Sequence, residues 1–302
     1  MNSKQLGNTG IPLPELALGT WQYRGGVGPL RAGVELGACF IDTAECYGTE
    51  PLVGEAIHGI RGGIFLASKV SPRHFRYKDV IKAAECSLKQ LQTDYLDLYQ
   101  LHWPNYTVPI AETMSAMESL VAMGKIRFIG VSNFTAAELR RAQAQLSKVR
   151  IVSNQVRYSL VDRSPEQDLL LYCQANQVSL LAFSPLAAGF DVLRRSDPRD
   201  SLGQVAAAVG KTRAQVALNW CTSHPAVIAI FKADKVEHVR ENCAASGWSL
   251  TPEQFRFLAS NIAGYRSRSP LERLARRLAR RALQHAGRNL GSATRMDHEQ
   301  RP

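Results

Sequence analysis

No stretch of the 302-residue sequence reaches the roughly 18 consecutive apolar residues of a membrane-spanning helix. The opening residues Met1-Asn2-Ser3-Lys4-Gln5 have neither the basic nor the apolar region of a secretory signal, so a cytoplasmic protein is expected. Six cysteines, Cys39, Cys46, Cys86, Cys173, Cys221 and Cys243, form no C-x-x-C pair, which argues against a disulfide framework or a zinc site. The seven histidines form no H-x-x-x-H pair, and no metal is expected. The paired carboxylates of a barrel hydrolase are missing too. No G-x-G-x-x-G follows any candidate strand, so the dinucleotide fingerprint of a doubly wound sheet is absent.

What is present is a chain with 45% hydrophobic residues, enough for a sizeable core, and an uneven charge. Residues 265–302 carry ten arginines against Glu272, Asp297 and Glu299, a net +7 out of a total of +11. The expected division is therefore a domain over 1–264 and a basic, partly helical tail over 265–302. In the tail, Leu271, Leu274, Leu278 and Ala282 recur at helical spacing behind Ser269-Pro270. Such a helix can pack on its own domain, dock weakly on an anionic membrane or self-associate; nucleic acid is not an expected partner.

Before the tail, turn dipeptides between Leu6 and Pro14 predict an N-terminal β-hairpin that plugs one end of the fold. Short, nearly continuous apolar runs follow at 16–20, 38–42, 64–69, 95–101, 126–131, 151–155, 178–183 and 226–231, as expected for strands covered on both faces. Between them lie helical patterns with start signals. Thr135-x-x-Glu138, Ser164-x-x-Gln167, Ser201-x-x-Gln204, Thr212-x-x-Gln215 and Thr251-x-x-Gln254 all fit a capping box. Eight strands alternating with helices predict an α/β fold, a (β/α)8 TIM barrel with the N-terminal β-hairpin and the basic C-terminal helical extension; an open doubly wound sheet is the alternative. The loop Arg24–Gly28 reads either as a structural turn or as cover for a substrate.

Four polar residues stand where such strands end: Asp42, Tyr47 five residues later, Lys69 and His102. Singly, each has an ordinary reading as a turn cap, a packed ring, a solvated amine or a core imidazole. In a barrel the ends of successive strands open on one face, so the four converge. A phenol ordinarily holds its proton up to a pH of about 10, and a neighbouring ammonium lowers that value by stabilising the phenolate. A carboxylate keeps the ammonium charged and oriented, and an imidazole can donate to a carbonyl oxygen. The group suits protonation of an oxygen while hydride arrives at carbon, and the hydride has to come from a cofactor.

The chain resembles the aldo-keto reductases in Leu6-Gly7-x-Thr9-Gly10, Leu18-Gly19-Thr20-Trp21, Phe40-Ile41-Asp42-Thr43-Ala44-x-x-Tyr47-Gly48, Ser68-Lys69, Gln100-Leu101-His102-Trp103-Pro104, Gly130-Val131-Ser132-Asn133-Phe134 and Arg240-Glu241-Asn242. The likeness covers about 3–260. It implies a barrel that binds NADPH or NADP+ in extended form and reduces aldehyde or ketone carbonyls to alcohols. By the same likeness Tyr47 is the general acid, Lys69 and Asp42 tune it, and His102 orients the carbonyl. Ser132, Asn133 and Gln155 match residues that hold the nicotinamide carboxamide. Phe183 stands where the family often has a stacking tyrosine, and Ser184 and Leu186 lie beside the pyrophosphate path. Lys232, His238, Glu241 and Asn242 match the adenosine and 2′-phosphate segment, with His238 replacing a frequent arginine and Ala233 a frequent serine or threonine. Trp21 and Trp103 are expected to wall the substrate pocket, with Tyr106 and the arginines of the loop 187–200 as further contacts. The alternative is a nicotinamide-binding regulatory or interaction subunit with little turnover.

Overall fold

The computed structural model describes residues 1–187, 189–262 and 264; the expected helical tail at 265–302 lies outside the described residues. Among the described residues there are ten strands: β1 (Ser3–Gln5), β2 (Pro12–Pro14), β3 (Leu16–Gly19), β4 (Phe40–Asp42), β5 (Phe65–Val70), β6 (Leu96–Leu101), β7 (Ile126–Ser132), β8 (Ile151–Arg157), β9 (Ser179–Phe183) and β10 (Val227–Phe231). Each apolar run read from the sequence became one of β3 to β10, with ends displaced by one or two residues. These eight close into a parallel barrel in the order β10-β3-β4-β5-β6-β7-β8-β9. Among the described residues no helix is long and apolar enough to cross a membrane.

Strands β1 and β2 form the expected hairpin, pairing Lys4 with Leu13 antiparallel. Its Leu6 and Leu13 are buried against Phe40, Phe65, Val152 and Leu181 inside the barrel, at the end where the strands begin. The hairpin sits so close that a Cβ on Gly7, at φ +51°, would lie 2.8 Å from the Gln177 carbonyl and 2.9 Å from that of Val152. One mouth is thus plugged by apolar side chains, and the other, where the strands end, is left for chemistry.

The interior is layered by the two-residue period of a strand. Phe40, Ala67 and Leu98 belong to the inner apolar cluster. Two residues further along the same strands come Asp42, Lys69 and Gln100, so the next layer is polar. On β8 the alternation is broken once: Ile129 pairs with Ile151 but Gly130 with Ser153, leaving Val152 as an extra residue. This bulge is what turns Gln155 inward to join the polar layer. Gly130 makes the room, since a Cβ there would meet Ser153 Oγ at 2.5 Å and Gln100 Cγ at 2.8 Å.

Three of the five expected capping boxes are formed, at Thr135, Thr212 and Thr251. The other two are corrected. Ser164 donates its hydroxyl to Asp162 Oδ1 at 2.8 Å, and the segment Ser164–Gln167 is a 3-10 turn, not the start of the α-helix, which begins at Leu169. Ser201 lies inside its helix, because the Asp197 carboxylate accepts from the amides of both Ser201 (2.8 Å) and Leu202 (2.7 Å), which one hydroxyl cannot do. The segment 187–200, read as a loop, contains a helix at Phe190–Ser196. In the Arg24–Gly28 segment, Tyr23 donates to the Gly26 carbonyl at 2.7 Å, and the helix Val27–Glu35 takes in the last two residues.

Candidate active site

Asp42 closes β4, Tyr47 ends the 3-10 turn Glu45–Tyr47, Lys69 is the penultimate residue of β5, and His102 directly follows β6. Lys69 is fully buried, so its ammonium has to be paired. Its Nζ donates to Asp42 Oδ2 at 2.6 Å and to the Thr43 carbonyl at 2.8 Å, and lies 3.5 Å from the Tyr47 hydroxyl. The same ammonium stands 4.9 Å from the centre of the Tyr47 ring. Tyr47 Oη in turn is 3.4 Å from His102 Nε2. The four residues expected to converge therefore form one continuous chain of polar contacts, carboxylate to ammonium to phenol to imidazole.

Two amides complete the carboxylate's shell. Asp42 Oδ1 accepts from Gln155 Nε2 at 2.8 Å and from Gln100 Nε2 at 3.2 Å. Gln100 was not singled out from the sequence. Its signal is an amide two residues after Leu98 and two before His102, on the inward face of β6. Cys46 Sγ, 3.5 Å from His102 Nδ1, is a second neighbour that the sequence did not mark out for this contact.

The electrostatics correct one expectation. Burial pushes the Tyr47 phenol above its usual value; Lys69 pulls it down, but together with Asp42 burial prevails, so the phenol is not lowered overall. Burial also works against the charge of Lys69, yet the Asp42 carboxylate and Tyr47 outweigh it and hold the ammonium above its ordinary value. His102 moves the other way, down to about 3, because burial and the Lys69 charge both disfavour the imidazolium. At neutral pH the centre therefore holds a protonated phenol, a full ammonium and a neutral imidazole.

The His102 shift has a stability consequence. Its folded value lies below the ordinary imidazole value of about 6.5, so the unfolded chain binds the proton more readily. Its contribution to stability is present above pH ~6.5 and lost as pH falls toward ~3. We expect urea midpoints of His102→Gln to fall less steeply across this window than those of the parent; equal slopes would contradict the shift.

The remaining expected residues fall into separate zones. Ser132, Asn133 and Gln155 are joined: Ser132 Oγ and the Asn133 amide both donate to the Gln155 carbonyl, at 2.9 and 2.8 Å. Asn133 adopts φ +63°, a left-handed conformation that asparagine tolerates, and its side chain donates to the His102 carbonyl at 3.0 Å. Phe183 ends β9 with the Arg157 guanidinium 5.7 Å from its ring centre; Ser184, at φ +51°, and half-buried Leu186 form the turn after it. Beyond β10, Lys232 pairs with Asp234 at 2.6 Å, Asn242 is buried, and Glu241 accepts from Gln215 through its carbonyl at 3.0 Å, while His238 is exposed.

Trp103 stacks beside His102 with ring centres 6.5 Å apart. Trp103 and Trp21 are both about half exposed, at 47% and 54%. Tyr106 is engaged by Glu138 through its hydroxyl. Arg194 is paired with Asp191 in the helix Phe190–Ser196 and is largely solvated. Among the described residues no cluster of histidine, cysteine and carboxylate could hold a metal ion.

Known proteins of similar sequence and fold identify the family. The family model described as the aldo/keto reductase family matches residues 15–262. A methylglyoxal reductase of Escherichia coli is 40% identical over 258 residues, 82% of this chain and 90% of that protein. A thermostable aldo-keto reductase solved with the inhibitor epalrestat superimposes with a TM-score of 0.80 at 42% identity, over 86% of this chain and 99% of that one. An aldo/keto reductase from Klebsiella pneumoniae, solved with NADP and acetate, gives a TM-score of 0.80 at 37% identity, over 89% and 98% of the two chains.

Proposed function

Because this chain belongs to the aldo/keto reductase family, we propose that it reduces aldehyde and ketone carbonyls to alcohols with NADPH, and that small 1,2-dicarbonyl aldehydes such as methylglyoxal are among its substrates. The observation that carries the reading is the contact chain Asp42–Lys69–Tyr47–His102 at the open end of the barrel.

The residues fit a nicotinamide dinucleotide. Gln155 gives its amide nitrogen to Asp42, and Ser132 and Asn133 stand beside it, a set suited to a carboxamide. The Phe183 ring offers a stacking face at the next strand end. Asn242 is buried and the Lys232 ammonium is partly exposed, which suits the adenosine phosphate end. When bound, the dihydronicotinamide supplies the hydride.

This chain's own part is to handle the oxygen. Neutral His102 donates through Nε2–H to the carbonyl oxygen, polarising it and holding it beside Tyr47. As the carbonyl carbon gains hydride, Tyr47 gives its phenolic proton to that oxygen, so the product leaves as a neutral alcohol. The phenolate left behind faces Lys69, whose ammonium is kept charged by Asp42, and it regains its proton from solvent. A phenol raised by burial keeps its proton in the resting site, and Lys69 limits the penalty of releasing it. The relative that reduces methylglyoxal supports a small dicarbonyl substrate, and Trp21 and Trp103 supply apolar walls.

We expect consumption of NADPH absorbance on addition of methylglyoxal, with a larger kcat/KM than for long-chain aldehydes. Cofactor binding without turnover on any of a panel of aldehydes and ketones would overturn the reductase assignment; turnover of other carbonyls without methylglyoxal would overturn the substrate class alone.

A further inference from the structure

The segment following β10 contains a carboxylate that the proposed cofactor reading does not use. Asp234 Oδ2 lies 2.6 Å from Lys232 Nζ, and Asp234 Oδ1 accepts the backbone amide of Arg24 at 3.0 Å. Both oxygens are engaged, so the side chain is fixed between two loops, the one after β10 and the one after β3. The packing is close: a Cβ on Gly25 would lie 2.6 Å from the Asp234 carbonyl oxygen. Burial alone would favour the protonated acid, but the Lys232 ammonium, the Arg24 amide and their charges hold the carboxyl below its usual range. An anion therefore stands permanently beside the ammonium.

We propose that Asp234 is a cofactor-specificity residue that competes with the 2′-phosphate of NADPH for Lys232 and so narrows this chain's preference for NADPH over NADH. The inference rests on the reading of Lys232 as the phosphate partner. A phosphate brought within hydrogen-bond reach of Lys232 meets a carboxylate already 2.6 Å from the same nitrogen. The ammonium is shared, and two anions face each other across it. NADH brings no such charge. Its 2′-hydroxyl is a donor, and a carboxylate at the adenosine ribose is the group that recognises that hydroxyl in other dinucleotide sites. The same side chain thus penalises one cofactor and tolerates or favours the other.

Asp234→Asn separates the charge from the shape, because the amide oxygen can still accept from Arg24. Dissociation constants for NADPH and NADH, measured at low salt by quenching of tryptophan fluorescence, give the readout without turnover. The expected result is NADPH binding about three- to tenfold tighter in Asp234→Asn with NADH unchanged or weaker, a modest effect because the pair is partly solvated and screened. An NADPH-to-NADH affinity ratio that stays the same or falls would overturn the proposal. Lys232→Met tells the two levels apart. If it leaves the ratio at the parent value, Lys232 is not the phosphate partner, and the cofactor reading falls together with the inference. If it lowers the ratio while Asp234→Asn fails to raise it, only the inference falls.

Discussion

Tyr47→Phe is expected to lower kcat by about 10²- to 10⁴-fold while changing the NADPH dissociation constant by less than about twofold. The size follows from what else at the centre could give up a proton. His102 titrates near 3 and is already neutral, so it can polarise an oxygen but has no imidazolium proton to give. The Cys46 thiol is pushed above its ordinary value by burial, against the pull of Lys69, and its sulfur faces the far nitrogen of His102. Lys69 is committed to Asp42 and the Thr43 carbonyl. Loss of the phenolic hydroxyl therefore removes the acid and little else, because the ring keeps its place against Lys69 and His102. A variant with near-native kcat would refute the role.

Lys69→Met is expected to act on stability as well as on chemistry. The parent pair is fully buried on the lysine side and nearly so on the carboxylate side. Methionine fills much of the same volume but leaves the Asp42 carboxylate with the neutral amides of Gln100 and Gln155 and no cation among the described residues. Breaking a buried pair from one side costs about 3–5 kcal/mol, because the remaining charge is uncompensated. Urea unfolding should register that loss, and Asp42→Asn added to Lys69→Met should recover part of it, since the amide carries no charge to strand. Turnover should fall in both variants, because no ammonium faces the phenolate. An additive double mutant, or a single mutant as stable as the parent, would contradict the pairing energetics. Tyr47→Phe, by contrast, should unfold at nearly the parent midpoint.

Much of the barrel was legible because strands covered on both faces are continuously or nearly continuously apolar, and Leu16–Gly19 or Val227–Phe231 announce themselves without any partner. The four polar residues at the open end were legible only together: each has an ordinary reading alone, but the ends of successive barrel strands open on one face. Gln100 was hidden because its amide lies within an apolar run, where single residues read as core. The inward turn of Gln155 depends on the extra residue in β8, a feature of pairing between strands that no local pattern carries. Ser164 and Ser201 misled because a better acceptor, Asp162 or Asp197, stood a few residues upstream. The direction of the Tyr47 shift was inaccessible for a similar reason, since it is decided by how deeply folding buries the ring and not by which charges are near it in sequence.

The most direct test follows the label. With NADPH deuterated at its hydride-bearing carbon and methylglyoxal as acceptor in ordinary water, the account predicts deuterium on the alcohol carbon of the product and a solvent-derived proton on its oxygen, at a rate that collapses in Tyr47→Phe. Cofactor that binds but transfers no deuterium to any carbonyl, or transfer that proceeds equally well without the Tyr47 hydroxyl, would contradict it.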